Sequence, residues 1–231
     1  ALEAMLVIVE LRAVPDTALP WLTFSGAVAM TCAIFALSWR HGTSSLRLIL
    51  VGLGLSALAG AGASFIATFG SPVAVQRALV WMAGSLQDSR WDKAEVLALW
   101  LVLPAGLTWL AARELDLIAF ADPVARGLGQ RVDRMRGLLI LAVAALSGAA
   151  VAAAGLVAFV GLAAPHIARL LVGHRHVALI PASALCGASL VVLADTVARR
   201  AMPPIELPVG VVTGLIGAPF FGWLLWTHRN V

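Results

Sequence analysis

Seven span-length apolar segments, two of them continuous across Gly155 and the rest separated by polar interruptions, leave this chain few ways to fold. They are Trp21–Trp39, Leu48–Phe69, Val96–Ala112, Gly137–Ala154, Leu156–Val172, Val177–Ala194 and Gly210–Trp226. Each has about the 17–25 residues that a helix needs to cross a bilayer. In hydrocarbon the backbone must satisfy its own amides, so such runs fold as helices rather than as open strands. Of 231 residues, 61% are hydrophobic and only 12% charged, and the mean hydropathy is +0.96. These values exclude a soluble domain and imply an all-α, polytopic membrane protein.

The basic residues give the runs a direction, because Lys and Arg collect on the cytoplasmic side. Arg40, His41 and Arg47 place the end of Trp21–Trp39 inside. Leu48–Phe69 then crosses outward to a loop, Gly70–Lys93, in which Trp81 and Trp91 are interface anchors. Val96–Ala112 returns inward. Gly137–Val172 is too long for one span and is basic at both ends, with Arg136 before it and His174-Arg175-His176 after it. Two inside ends require an even number of crossings, so a hairpin turning near Ala154-Gly155 is expected. Val177–Ala194 crosses outward, and Gly210–Trp226 returns to the inside end at His228-Arg229. One feature departs from the pattern: Arg199 and Arg200 fall outside. Asp195 stands four residues before Arg199 and can pair with it on one helical face. The two arginines read either as a snorkelling interface pair or as a positive patch for an acidic partner.

Between the third and fourth runs lies the longest polar island, Arg113–Arg136. It carries Arg113, Glu114, Asp116, Asp122, Arg126, Arg131, Asp133, Arg134 and Arg136. Leu115, Leu117, Ile118 and Phe120 form an apolar cluster. Val124, Leu128 and Val132 recur at i, i+4 and i+8, as on one face of a short helix. Asp122-Pro123 suits an N-cap followed by a first-turn proline, and Gly127 and Gly129 are placed to end the helix. The pattern predicts two short amphipathic pieces in water. They read either as a solvated loop or as a docking surface for a soluble partner.

Two runs carry small residues at four-residue steps: Gly52, Ser56, Gly60 and Ser64 in one, Gly210, Gly214, Ala218 and Gly222 in the other. Such stripes let helices approach closely, or leave width beside a substrate path. Cys32 and Cys186 lie within apolar runs and read as small packing residues. The pI near 10.4 does not imply nucleic acid, since the basic residues sit between spans. His174 and His176, two apart in a basic loop, read as solvated residues rather than metal ligands. No nucleotide-binding G-x-x-x-x-G-K-[ST] loop, zinc-protease or nucleophile-elbow motif occurs. No lone carboxylate stands at the centre of a run, which weighs against an ion-coupled secondary transporter. An intramembrane enzyme would need paired catalytic groups, for which Asp195 and His166 are the nearest candidates.

The second half carries a more specific signal. The segments FVGLAAPHIARLLVG (Phe159–Gly173), VLADTVAR (Val192–Arg199) and ELPVGVVTGLIGAPFF (Glu206–Phe221), with DPVARGLG (Asp122–Gly129) before them, resemble the iron-chelate and vitamin B12 ABC importer permeases. The resemblance runs from about residue 20 onward. It implies the type II importer permease fold, with one transmembrane domain over residues 1–231. That family has ten transmembrane helices. This chain is expected to supply the last seven, with Ala1–Leu11 as the tail of the third.

The resemblance also implies roles. Asp122, Pro123, Val124, Ala125, Arg126, Gly127, Leu128, Gly129 and Gln130 match the cytoplasmic coupling helices that sit in a groove of the ATPase subunit. Arg199 matches an external arginine that pairs with a glutamate of the periplasmic or lipoprotein binding protein, and Arg200 is adjacent. Thr43, Ser44, Ser45 and Leu46 match a turn at the cytoplasmic gate. The next run, with Gly52, Ser56, Gly60 and Ser64, lines the translocation path. The implied partners are two ATPase subunits, a binding protein and a second permease, identical or not. The implied function is import across the bacterial cytoplasmic membrane, with no covalent chemistry or cofactor in this chain. Trp81–Trp91, WMAGSLQDSRW, looks more like the ferric siderophore members than the vitamin B12 ones; a vitamin B12 or haem importer permease of the same family is the alternative.

Overall fold

Most of the apolar sequence among the described residues is helical. The computed structural model describes residues 19–39, 45–86, 89–119, 122–201 and 207–227, and all regular structure among them is α-helix. The described helices are α1 (Leu19–Ser38), α2 (Ser45–Phe69), α3 (Pro72–Met82), α4 (Trp91–Leu110), α5 (Ala112–Ile118), α6 (Asp122–Gly127), α7 (Val132–Ala154), α8 (Val160–Val172), α9 (His176–Ala201) and α10 (Val209–Thr227). Four of them, α2, α4, α7 and α9, are by themselves long and apolar enough to cross a membrane. The all-helical, multi-span architecture expected from the sequence is the one observed.

Two elements differ from expectation. Leu156–Val172 is not helical throughout: α8 has 13 residues, and Gly155–Phe159 is non-helical. Thirteen residues rise only about 20 Å, short of the ~30 Å hydrocarbon thickness. Phe159 holds a left-handed backbone (φ 65°) at the start of α8, a conformation that costs a side-chain-bearing residue about 1–2 kcal/mol. The second difference is α3, an 11-residue helix inside the expected outer loop. Ser71-Pro72 starts it, with Val75 N donating to Ser71 O at 3.0 Å. It folds back on the end of α2, where Ala78 and Ala63 are buried together and Ile66, Ala67, Ala74, Val75 and Met82 pack around them. Alanines let the two backbones come close.

The chain divides into two compact units. One takes in the described residues of 1–82 and 90–153, the other those of 83–89 and 154–231. In the first, α1 is sandwiched. Trp21 and Phe24 meet Trp100 of α4 with ring centroids 4.3 and 5.0 Å apart. On α7, Gly148 lies against Phe24 and Ala27, and Gly137 lies under Phe35. Arg47 reaches back from α2 to the last turn of α1, its Nη1 donating to Ser38 O at 3.4 Å. A cation is favourable at that negative helix end.

In the second unit α8 packs along α9, and α9 along α10. Ala194, Ala198, Val209 and Val212 form the α9–α10 core, capped by Leu86, Val157 and Leu207. Three backbones converge beside this core. Ser85 N donates to Ala154 O at 2.9 Å. A Cβ on Gly84, whose φ is +75°, would stand 2.5 Å from Leu156 O, and one on Gly210 would collide with Ala83 O. Only glycine fits at either place. The non-helical 155–158 stretch is thus lined by neighbouring backbone, as irregular segments in a membrane protein require.

Hydroxyl groups inside the helices bond to their own helix. Thr31 donates to Ala27 O, Ser64 to Gly60 O, Thr68 to Ser64 O, Thr108 to Pro104 O, Ser189 to Leu185 O and Thr196 to Val192 O, all at 2.7–3.0 Å. This satisfies each hydroxyl without a partner helix.

Candidate functional site

The polar island folds as two short helices, α5 and α6. Ala112 and Ala125 are buried, and Leu115, Leu117 and Ile118 are half-buried; Phe120 and the Asp122 and Pro123 side chains lie outside the described residues. The end of α6 is fully bonded. Gln130 N donates to Ala125 O at 3.1 Å and Gly129 N to Arg126 O at 3.0 Å, with Gly129 at φ +85°. That pair of bonds around a left-handed glycine is a Schellman termination. The Gln130 side chain ties the turn back to α5: its Nε2 donates to Glu114 O at 3.1 Å and to Glu114 Oε2 at 2.8 Å. Its Oε1 is buried without a partner among the described residues. Arg126 also reaches Asp133 at 3.4 Å. This half-exposed pair contributes about 1 kcal/mol or less.

The expected apolar face of Val124, Leu128 and Val132 is corrected here. Gly129 turns the chain before the third residue, so Val132 starts α7 and is buried. Val124 and Leu128 instead remain 51% and 63% exposed on the short helix. In a segment rich in charge, two projecting aliphatic side chains beside a pinned turn form an apolar contact point.

At the end of α9, Arg199 and Arg200 are both exposed. Arg199 Nε lies 2.8 Å from Asp195 Oδ2, the pairing expected from the four-residue spacing. Its Nη2 also donates to Leu86 O at 3.1 Å. That second bond was invisible in the sequence, because 113 residues separate the partners. Arg199 therefore fastens the 83–86 stretch to α9 while 42% of its side chain stays exposed.

Of the expected gate turn, Thr43 and Ser44 lie outside the described residues. Ser45 opens α2, and Leu46 is exposed. Along the same helix, Ser56, Gly60 and Ser64 are exposed and Gly52 is half-exposed. A Cβ added to Gly52 or Gly60 would meet nothing within 4 Å. Neither glycine is therefore required for close packing among the described residues. The second stripe is divided: Gly210 is tightly packed, while Gly214 and Gly222 face open space. The two residues considered for chemistry have other contacts. Asp195 is paired with Arg199, and the His166 ring stands 6.5 Å from that of Phe220. Among the described residues no three His, Cys, Asp or Glu side chains are grouped to hold a metal.

The FecCD transport family matches residues 1–227. The Fe(3+)-citrate import system permease protein YfmE of Bacillus subtilis is 38% identical over 97% of this chain and 67% of its own length. The iron(3+)-hydroxamate import system permease protein FhuG of the same organism is 41% identical over 90% of this chain and 62% of its own. The vitamin B12 import system permease protein BtuC of Vibrio cholerae is 38% identical over 89% and 62%. The chain thus spans about two thirds or less of the length of these curated relatives. A solved structure of an inward-facing metal-chelate type ABC transporter matches 97% of this chain and 72% of its own, with a TM-score of 0.89 at 29% identity. These relatives are transport permeases and not enzymes. On sequence and fold together, the chain is a multi-pass membrane protein that belongs to the FecCD transport family.

Proposed function

We propose that this chain is the membrane-spanning subunit of an ABC importer in a bacterial cytoplasmic membrane, and that its cargo is a ferric siderophore. The observation that carries the reading is the exposed Val124–Leu128 pair on α6, held on a turn that is bonded at both its backbone and its Gln130 side chain. A groove on an ATPase subunit would receive those two side chains. Force on α6 would pass through the Gln130–Glu114 bonds into α5 and through Gly129–Val132 into α7. ATP-driven closure of two ATPases would then move the spans of two apposed permeases and alternate access to the path between them. The unfilled Gly52–Ser64 stripe suits a wall of that path or the face of a second permease. Arg199 and Arg200 suit contact with an acidic binding protein.

The substrate assignment is supported by relatives named for ferric citrate and ferric hydroxamate and by the Trp81–Trp91 segment. A vitamin B12 or haem permease is the second reading, favoured by relatives named for those cargoes at similar identity. The test is uptake into proteoliposomes holding the full-length permease, its ATPases and its binding protein. Ferric hydroxamate, ferric citrate, haem and cobalamin are offered separately. ATP-dependent uptake of an iron chelate supports the assignment. Uptake of cobalamin alone moves the substrate, and uptake driven by an ion gradient without ATP overturns the importer reading.

A further inference from the structure

Beside the α5–α6 turn, a cavity of about 350 Å³ is bordered by Glu114, Gln130, Arg131, Arg134, Met135 and Leu138. Four of these residues stand at i, i+3, i+4 and i+7 along the entry to α7, so they form one helical stripe. The stripe changes character along its length. Arg131 and Arg134 belong to the polar first turn. Met135 and Leu138 lie within and past it, where the apolar run starts at Gly137. Both arginines are exposed, and neither pairs with a carboxylate among the described residues. Leu138 is 62% exposed on a helix long enough to cross the bilayer. Beside these two arginines one carboxylate, Glu114, borders the cavity, and Gln130 Nε2 already engages it at 2.8 Å.

We propose that this cavity binds the headgroup of a cytoplasmic-leaflet phospholipid, its phosphate between Arg131 and Arg134 and its acyl chain against Met135 and Leu138. Guanidinium forks match phosphate oxygens in geometry as well as charge. A basic pocket at the cytoplasmic end of a membrane helix sits where headgroup phosphates lie. From Arg131 to Leu138 the helix rises about 10 Å, the reach of a molecule that is charged at one end and apolar at the other. A soluble anion would use the arginines but gain nothing from Leu138. The inference rests on the cytoplasmic placement of residues 113–136, and it holds whether or not α6 engages an ATPase.

Native mass spectrometry of the purified full-length permease tests it. Phosphatidylglycerol or phosphatidylethanolamine is added, and inorganic phosphate serves as competitor. Wild type should retain one phospholipid. Arg131→Gln/Arg134→Gln should lower its occupancy about tenfold or more, and Arg113→Gln, a charge removed elsewhere on the island, should leave it unchanged. Leu138→Glu, which keeps both arginines, should lower it as well. Retention of phosphatidylglycerol alone supports an anionic-lipid site; equal retention of both lipids supports recognition through the phosphate. Equal occupancy in wild type and the double variant overturns the proposal. So does displacement by inorganic phosphate with no effect of Leu138→Glu, which marks a free-phosphate site. Absence of bound lipid from wild type, with Arg131 and Arg134 shielded only after ATPase subunits are added, assigns the cavity to that partner instead.

Discussion

Arg199 holds the Leu86 carbonyl at 3.1 Å with one nitrogen while another stays 2.8 Å from Asp195. One side chain thus anchors a neighbouring stretch and, with its exposed part, still offers positive charge beside Arg200. The two roles separate by substitution. Arg199→Lys keeps the charge but loses the fork, so it should raise amide exchange at Ser85 and leave binding-protein arrival almost unchanged. Arg199→Glu should also slow arrival, by about 3–10-fold at low salt, with the difference shrinking as salt is added. Association of purified binding protein with the full-length complex in nanodiscs, at two ionic strengths, measures this. Equal on-rates for wild type and Arg199→Glu would leave only the clamp.

Leu128 is the sharper probe of coupling. It is 63% exposed, so Leu128→Glu should cost little stability, within about 0.5 kcal/mol. If the α6 surface seats in an ATPase groove, a buried carboxylate there should sever hydrolysis from transport. The measurement is substrate-stimulated ATPase rate beside uptake in the same vesicles. Unchanged coupling in a folded Leu128→Glu complex removes α6 from the assignment.

Two glycines three residues apart on α10 should respond oppositely to the same change. A Cβ at Gly217 would lie 2.5 Å from Phe159 Cγ, whereas at Gly214 nothing stands within 4 Å. Gly217→Ala should therefore destabilise by about 1–3 kcal/mol through overpacking. Gly214→Ala should be neutral or stabilising by up to about 1 kcal/mol, since alanine is the better helix former. Thermal unfolding of both variants in one detergent decides the sign. Lost transport in a stable Gly214→Ala protein would place that face against the path or the second permease.

Side of membrane is testable at the joint between α7 and α8. Gly155 itself is buried, so the label belongs at exposed Ala158. With Cys32 and Cys186 replaced, a cysteine at Ala158 should react only from outside and one at His174 only from inside. Reaction of Ala158→Cys from the cytoplasm alone would reverse the hairpin.

Much of this architecture was readable in hydropathy, and the departures have physical causes. The apolar run from Val96 marks α4, but the helix starts at Trp91, with Asp92 in its first turn. Hydropathy reports where the bilayer ends, while the helix continues into water. Likewise α9 extends to Ala201, past Ala194, which is why Asp195 and Arg199 share a face. The short helix α3 went unread because a search for span-length runs passes over 11 residues. In the polar island the two glycines and the Asp-Pro pair gave the position of α6, and the simple periodicity of Val124, Leu128 and Val132 misled, because it assumes an unbroken helix. The Leu86–Arg199 and Gln130–Glu114 bonds join positions that no local pattern relates.

The hydroxyls of Thr31, Ser64, Thr68, Thr108, Ser189 and Thr196 hold carbonyls on their own helices. Hydrogen bonds between membrane helices act as fasteners worth about 0.6–2 kcal/mol each, and every one must open when helices shift. Among the described residues these six fasten nothing across a seam. Helices built this way could shift past a neighbour without unlatching these side chains. Ser64 on α2 thereby leaves its helix a surface with little grip at rest, while its hydroxyl keeps a lone pair that a visiting donor could use.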